Sequence, residues 1–212
     1  YLDYEYDLSE NWSLTNKSYY EWYDNYGTNA YGFSQQGISS VWENQLQLAF
    51  NKAYDGFEVN AIISPSYRDT EFERGNDYSN EYFDRRDLTG PSTALDRRLL
   101  AVRIDDDYNR YVVGDYSVLG IAALLDLQTD AGVDVLLGVR QDSIDMKSEM
   151  IGHKTLYRDD FYGTNEDDAF SWTASITYNS PIGIAPYVTL SEQVTVVASQ
   201  MADLDPESVA DG

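Results

Sequence analysis

FSWTASITYNSPIGIAPYVTLSE, residues 170–192, sorts its first half by parity: Phe170, Trp172, Ala174, Ile176 and Tyr178 alternate with Ser171, Thr173, Ser175 and Thr177. Successive side chains of a β-strand point to opposite faces, so this segment is a ribbon apolar on one side and hydroxylated on the other. Two settings reward such a ribbon, a soluble sheet packed on a core and a barrel wall between lipid and water. The stretch NSPIG then supplies turn residues before a second patterned run at 184–192.

The same period of two recurs along the chain, at about 1–8, 12–23, 41–51, 57–69, 115–128, 133–146, 169–178 and 184–192. No segment holds a helical period for three turns, so the expected fold is all-β, with eight antiparallel strands. In YLDYEYDL, Leu2, Tyr4, Tyr6 and Leu8 alternate with Asp3, Glu5 and Asp7; in FEVNAIISPSY, Phe57, Val59, Ala61, Ile63, Pro65 and Tyr67 form the apolar set. VLGIAALLDLQ differs, because its second face (Val118, Gly120, Ala122, Leu124) is small rather than polar. The connections alternate in length: 9–11 is short, 24–40 long, 52–56 short, 70–114 long, 129–132 short, 147–168 long and 179–183 short. A soluble sandwich has no reason to gather its long loops at one end. An outer-membrane barrel does, with short periplasmic turns and long extracellular loops.

Composition narrows the alternatives. The 212 residues carry 37 acidic and 14 basic side chains, a formal charge of −23, which argues against nucleic acid as a partner. The absence of Cys excludes a disulfide framework and a thiolate nucleophile. No stretch approaches the roughly 20 apolar residues of a membrane-spanning helix, and the opening YLDYEYDLSE lacks the features of a signal peptide. The sequence starts without Met inside a patterned segment, so a piece of a longer protein is expected.

Tyr is the outlier, with 19 copies, and aromatic residues favour strands and bilayer margins. Trp12 and Trp22, Trp42 and Phe50, Phe57 and Tyr67, and Trp172 and Tyr178 each bracket a strand on one parity. They are the expected membrane-interface girdle. Asn16 and Ser18 break the pattern in mid-strand, where a bulge would reset the register. A wall in lipid must also close, because every backbone polar group needs a partner strand.

A resemblance emerges from the last third. VDVLLGVRQDSIDMKSE, then DDAFSWTASITYNSPIGIAPYVTLSE, then LDPES resembles the mid-barrel of TonB-dependent siderophore receptors. Gly138, Arg140 and Asp142 match that family's GxRxD strand, Trp172 and Tyr178 the next strand, and Pro186, Tyr187, Ser191 and Glu192 its PYxSxSES element. Leu204, Asp205, Pro206 and Glu207 match its L(D/K)PE stretch, although Ala174 stands where the family commonly has Gly and EQVTV replaces its usual Ser-Phe. The likeness spans about 133–207. It implies a barrel of about 22 strands. It also implies a plug domain, absent from this chain, that contacts an energy-coupling protein of the inner membrane. Residues 1–192 would then be a partial transmembrane barrel, and 193–212 an extracellular loop segment leading to the next strand. The implied function is import of a ferric siderophore or similar scarce ligand across the bacterial outer membrane. A passive porin-like channel and a soluble β-sandwich binding module are the rival readings.

No catalytic site is expected, since the single His153 lies in a loop and no Ser has a nucleophile-elbow setting. Asp105, Asp106 and Asp107 lack calcium-loop spacing, and no cofactor or metal is implied. Residues 71–114 hold seven of the 14 basic side chains: Arg74, Arg85, Arg86, Arg97, Arg98, Arg103 and Arg110. Their guanidiniums could grip an anionic metal chelate, with Tyr78, Tyr82, Tyr108 and Tyr111 stacking on a flat ligand. Arg85, Arg86, Arg97 and Arg98 are the candidate ligand contacts. The competing expectation is that each Arg pairs with an acid of its own loop.

Overall fold

The computed structural model describes residues 1–27, 34–77, 108–155, 159–196, 198 and 202–211. All eight expected strands are present: β1 Leu2–Ser9, β2 Trp12–Gly27, β3 Ser34–Tyr54, β4 Phe57–Asp77, β5 Arg110–Thr129, β6 Val133–Met150, β7 Phe161–Tyr178 and β8 Tyr187–Glu192. They form one antiparallel sheet in sequence order, each strand paired with the next. A 3-10 turn, Gly152–Lys154, precedes β7, and a short helix, α1, covers Pro206–Asp211.

At the short-turn end the strands stop where the alternation stops, and Gly56 and Gly132 adopt φ of +88° and +79° in two of the turns, a conformation glycine takes without steric cost. At the other end the strands run further than the pattern indicates: β2 to Gly27, β4 to Asp77 and β6 to Met150. The ladder there continues after the apolar parity has ended, so periodicity underestimates its length.

The bulge that would have reset the register near Asn16 does not occur. The β2–β3 register runs unbroken from Trp12↔Phe50 to Gly27↔Gln35, and the β1–β2 irregularity falls between Asp7 and Ser9. Asn16 and Ser18 keep their apolar-face parity and are satisfied across the strand by Asn44. Asn44 Nδ2 donates to Asn16 Oδ1 at 3.1 Å and Ser18 Oγ at 2.7 Å, while Asn16 Nδ2 donates to Asn44 Oδ1 at 3.2 Å. A buried or lipid-side amide is costly only when unpaired.

The register assigns the faces. Trp12, Phe50, Ala61, Leu125, Leu137, Ala174 and Leu190 share one rung, and the rungs on either side carry Leu48, Ile63, Ala123, Val139 and Trp172, or Val59, Leu127, Val135 and Ile176. Among the described residues nothing covers this face: Ile63, Leu119, Ile121, Phe170, Ile176 and Leu190 are all more than half exposed. The main apolar cluster, Phe72, Val112, Tyr116, Met150, Leu204 and Val209, is small and lies at the long-connection end of the opposite face.

The apolar band crosses the rungs at a slant. Trp22 ends it on β2, and the rung of Trp22 passes through Ser40, Glu71, Asp115 and Lys147 to Thr164, six residues from the corresponding margin, Phe170, on β7. Six residues of about 3.3 Å against five strand spacings of about 4.8 Å give a slope of about 40°, within the tilt of transmembrane barrel strands. The lower margin agrees, since the rung of Trp12 reaches β7 at Ala174, four residues from Tyr178. That slope is about 30° by the same spacings.

Candidate functional site

The face opposite the apolar band carries the chemistry. Ser66, Gly120 and Asp142 occupy one rung of β4, β5 and β6, with Ser64, Ala122 and Arg140 on the next. Arg140 forks onto Asp142 two residues along its own strand, with Nε to Oδ2 at 2.7 Å and Nη2 to Oδ1 at 2.6 Å. Its Nη2 also reaches Ser66 Oγ on β4 at 3.3 Å. This bidentate pair spans β5 at the position where β5 has no side chain. A Cβ on Gly120 would stand 2.4 Å from both Arg140 Nη2 and Asp142 Oδ1. The small second face of VLGIAALLDLQ is therefore the bed of a guanidinium.

Beside this fork lies a recess of about 590 Å³, lined by Glu43, Ser64, Arg68, Tyr116, Ile144 and Val194 among others. Glu43 and Arg68 face each other directly across β3 and β4. Ser64 Oγ is buried with no hydrogen-bond partner among the described residues. The segment that follows β8 returns over this face and closes one side, where Val194 N donates to Ser171 Oγ at 3.1 Å and Val196 packs against the apolar cluster. A mixed polar and apolar cleft of this size suits a small ligand with a few hydrogen-bonding groups.

Further along, the segment lies against the same face. Leu204 and Val209 are buried with Phe72, Val112 and Met150, and Ser148 Oγ donates to the Leu204 carbonyl at 2.7 Å. Asp205 caps α1 by accepting from Glu207 N at 3.1 Å, and Pro206 takes the first helical position, where its missing N–H costs nothing. Gly163 of β7 lies so close that an added Cβ would be 2.2 Å from the Pro206 carbonyl.

Of the residues expected to act, Arg85, Arg86, Arg97, Arg98 and Arg103, with Tyr78, Tyr82 and Asp105–Asp107, fall outside the described residues. Arg74 and Arg110 form ion pairs with Asp203 and Asp205 of the returning segment. Tyr108 and Tyr111 do not present faces to a flat ligand. Both are buried, tilted against each other at 4.8 Å, with Tyr108 OH donating to Gln36 Oε1 at 2.8 Å and Lys154 Nζ 4.0 Å from the Tyr111 ring centre. His153 is exposed in the 3-10 turn. The candidate girdle residues all lie on the apolar face, where Trp12 packs on Phe50 at 4.8 Å and Trp42 on Tyr67 at 5.7 Å. Among the described residues, no group of three or more His, Asp or Glu could hold a metal ion.

Sequence inspection missed Asp203, Ser148 and the Arg140 fork as a unit. The one available signal was the i, i+2 spacing of Arg140 with Asp142 and of Asp203 with Asp205.

The profile of the family described as "TonB dependent receptor-like, beta-barrel" matches residues 1–206. Among solved structures, the chain is similar to the siderophore receptor PiuA from Acinetobacter baumannii, with 16% identity and a TM-score of 0.71 over 98% of this chain and 33% of that one. It is similar also to the ferric-catecholate import receptor Fiu from E. coli K12, with 10% identity and a TM-score of 0.61 over 90% of this chain and 34% of that one. The chain thus spans about a third of the length of each. No curated protein matches it.

Proposed function

The chain belongs to the TonB-dependent receptor β-barrel family, and from that premise we propose that it is part of the wall of an outer-membrane receptor importing a ferric siderophore or a similar scarce ligand. Energy would come from an inner-membrane coupling protein acting through a plug outside this chain. The observation that carries this reading is the pairing of an uncovered apolar face with a polar, recessed opposite face on one tilted sheet. Lipid occupies the first side and the hydrated import path the second. Trp12, Trp22, Trp42, Phe50, Phe57, Tyr67, Trp172 and Tyr178 then sit at or near the two interfaces. On β4, Phe57 to Tyr67 covers about 33 Å of strand, or about 25 Å of height at about 40° of tilt, the height of a lipid-facing band.

Uptake of radioactive iron(III) by the source bacterium under iron limitation tests the function. Removing the gene for the complete receptor is expected to abolish uptake of at least one ferric siderophore, and its return to restore it. Unchanged uptake of every siderophore offered would contradict the reading. Arg85, Arg86, Arg97 and Arg98 are proposed contacts for the anionic chelate. Their joint replacement by Gln is expected to weaken binding at least tenfold, and unchanged affinity would remove them from the site.

A further inference from the structure

Arg74 and Arg110 stand one rung apart on the polar face of β4 and β5, Arg74 opposite Val112 and Arg110 opposite Asn76. In sequence they are the last arginine before residues 78–107 and the first after them. They mark the two stems of the β4–β5 connection. Two acids on the returning segment meet them: Arg74 Nη1 donates to Asp203 Oδ1 at 2.7 Å, and Arg110 Nη2 lies 3.0 Å from Asp205 Oδ2 as a charge contact without hydrogen-bond geometry. Between the acids, Leu204 turns into the apolar cluster and its carbonyl accepts from Ser148. The alternation Asp, Leu, Asp thus fits ion pair, core and ion pair onto adjacent strands.

Stability alone does not account for this choice. The side chains of Arg74 and Asp203 are 12% and 3% exposed, at the edge of a cluster of Phe72, Val112 and Leu204. Well-packed apolar side chains commonly serve stability as well as a buried ion pair does, whereas an ion pair fixes register and position. The segment also adopts an unusual backbone to arrive there, since Ala202 has φ of 60° and is the one non-glycine residue with positive φ among those described.

We propose that Asp203 and Asp205 clamp the two stems of the β4–β5 connection, so that the segment following β8 holds the ends of β4 and β5 in place at the long-connection end of the sheet. They are positioning residues. If the chain is a receptor wall as proposed above, a ligand touching either connection would bias the other, and the coupling would be reciprocal.

The test is hydrogen exchange, read by mass spectrometry on the complete receptor in detergent without ligand, so its outcome is independent of which ligand is imported. The double variant Asp203→Asn, Asp205→Asn is expected to raise exchange at 70–76 and 108–113 about tenfold or more while 121–125 in mid-β5 stays unchanged. The charge swap Arg74→Asp, Asp203→Arg, with Asp205 and Arg110 intact, is expected to return the stems to within about threefold of the parent. Unchanged exchange at the stems overturns the proposal. So does a rise spread evenly along β5, or a swap that exchanges as fast as Asp203→Asn alone.

Discussion

An added Cβ at Gly120 would collide with the ends of two side chains, Arg140 and Asp142, whereas one at Gly163 would collide with backbone, the carbonyl of Pro206. The difference decides what each substitution does. Gly120→Val is expected to push the fork off the wall and cost about 1–3 kcal/mol, measured by urea unfolding of the complete receptor followed by tryptophan fluorescence. Gly163→Ala cannot be absorbed by a rotamer change, so α1 is expected to leave the wall. Faster hydrogen exchange at 203–211 would report that. The cluster of Asn16, Ser18 and Asn44 gives a third case on the apolar face. Asn44→Leu leaves Asn16 and Ser18 only their own 3.5 Å contact and is expected to destabilise by about 1–3 kcal/mol. Replacing all three, with Leu, Ala and Leu at 16, 18 and 44, is expected to recover that loss in the same unfolding measurement. A triple variant less stable than Asn44→Leu would show that the amides do more than satisfy one another.

On the scale of the strand, the two faces of β5 should respond in opposite ways to one charge. Ile121→Arg places a guanidinium on the apolar face and is expected to cost about 2–4 kcal/mol, whereas Leu124→Arg, at an exposed position of the polar side away from the bed of Arg140, costs little. Equal losses in unfolding free energy would contradict the face assignment. This parity is also what made the strands legible in sequence, as at Phe170–Tyr178, because lipid and water reward opposite side chains in alternate positions. Beyond Trp22 and Tyr67 the alternation fades, and the outer parts of β2, β4 and β6 were unreadable for that reason, although their hydrogen bonds continue. Asn16 looked like a fault in the pattern because its remedy, Asn44, lies 28 residues away and becomes a neighbour only through the register. The returning segment was less legible still. LDPES matches a family stretch, but nothing in it names a partner, since Arg74 is 129 residues distant from Asp203.

For the molecule as a whole, the small cluster around Phe72, Val112 and Leu204 is too little to explain why so many Leu, Ile, Val and aromatic side chains share the other face. An exposed apolar surface of that extent requires a covering medium. The slant of its margins, about 30–40° to the rungs, is what a flat bilayer would draw on tilted strands. Closure of the barrel belongs to strands beyond β1 and β8, since these two are the edges of the described sheet and lipid tolerates no open edge. The central claim is therefore that hydrocarbon touches the parity of Ile63, Ile121 and Phe170. Nitroxide labels placed singly at 119, 121, 123 and 125 and at 124, 126 and 128, leaving the bed of Arg140 at 120 and 122 untouched, in the complete receptor reconstituted into vesicles, test it most directly. Collision with oxygen should be high and with a water-soluble nickel chelate low at 119, 121, 123 and 125, with the ratio reversing at 124, 126 and 128. Odd positions shielded from both reagents would place that face inside a protein core and contradict the account.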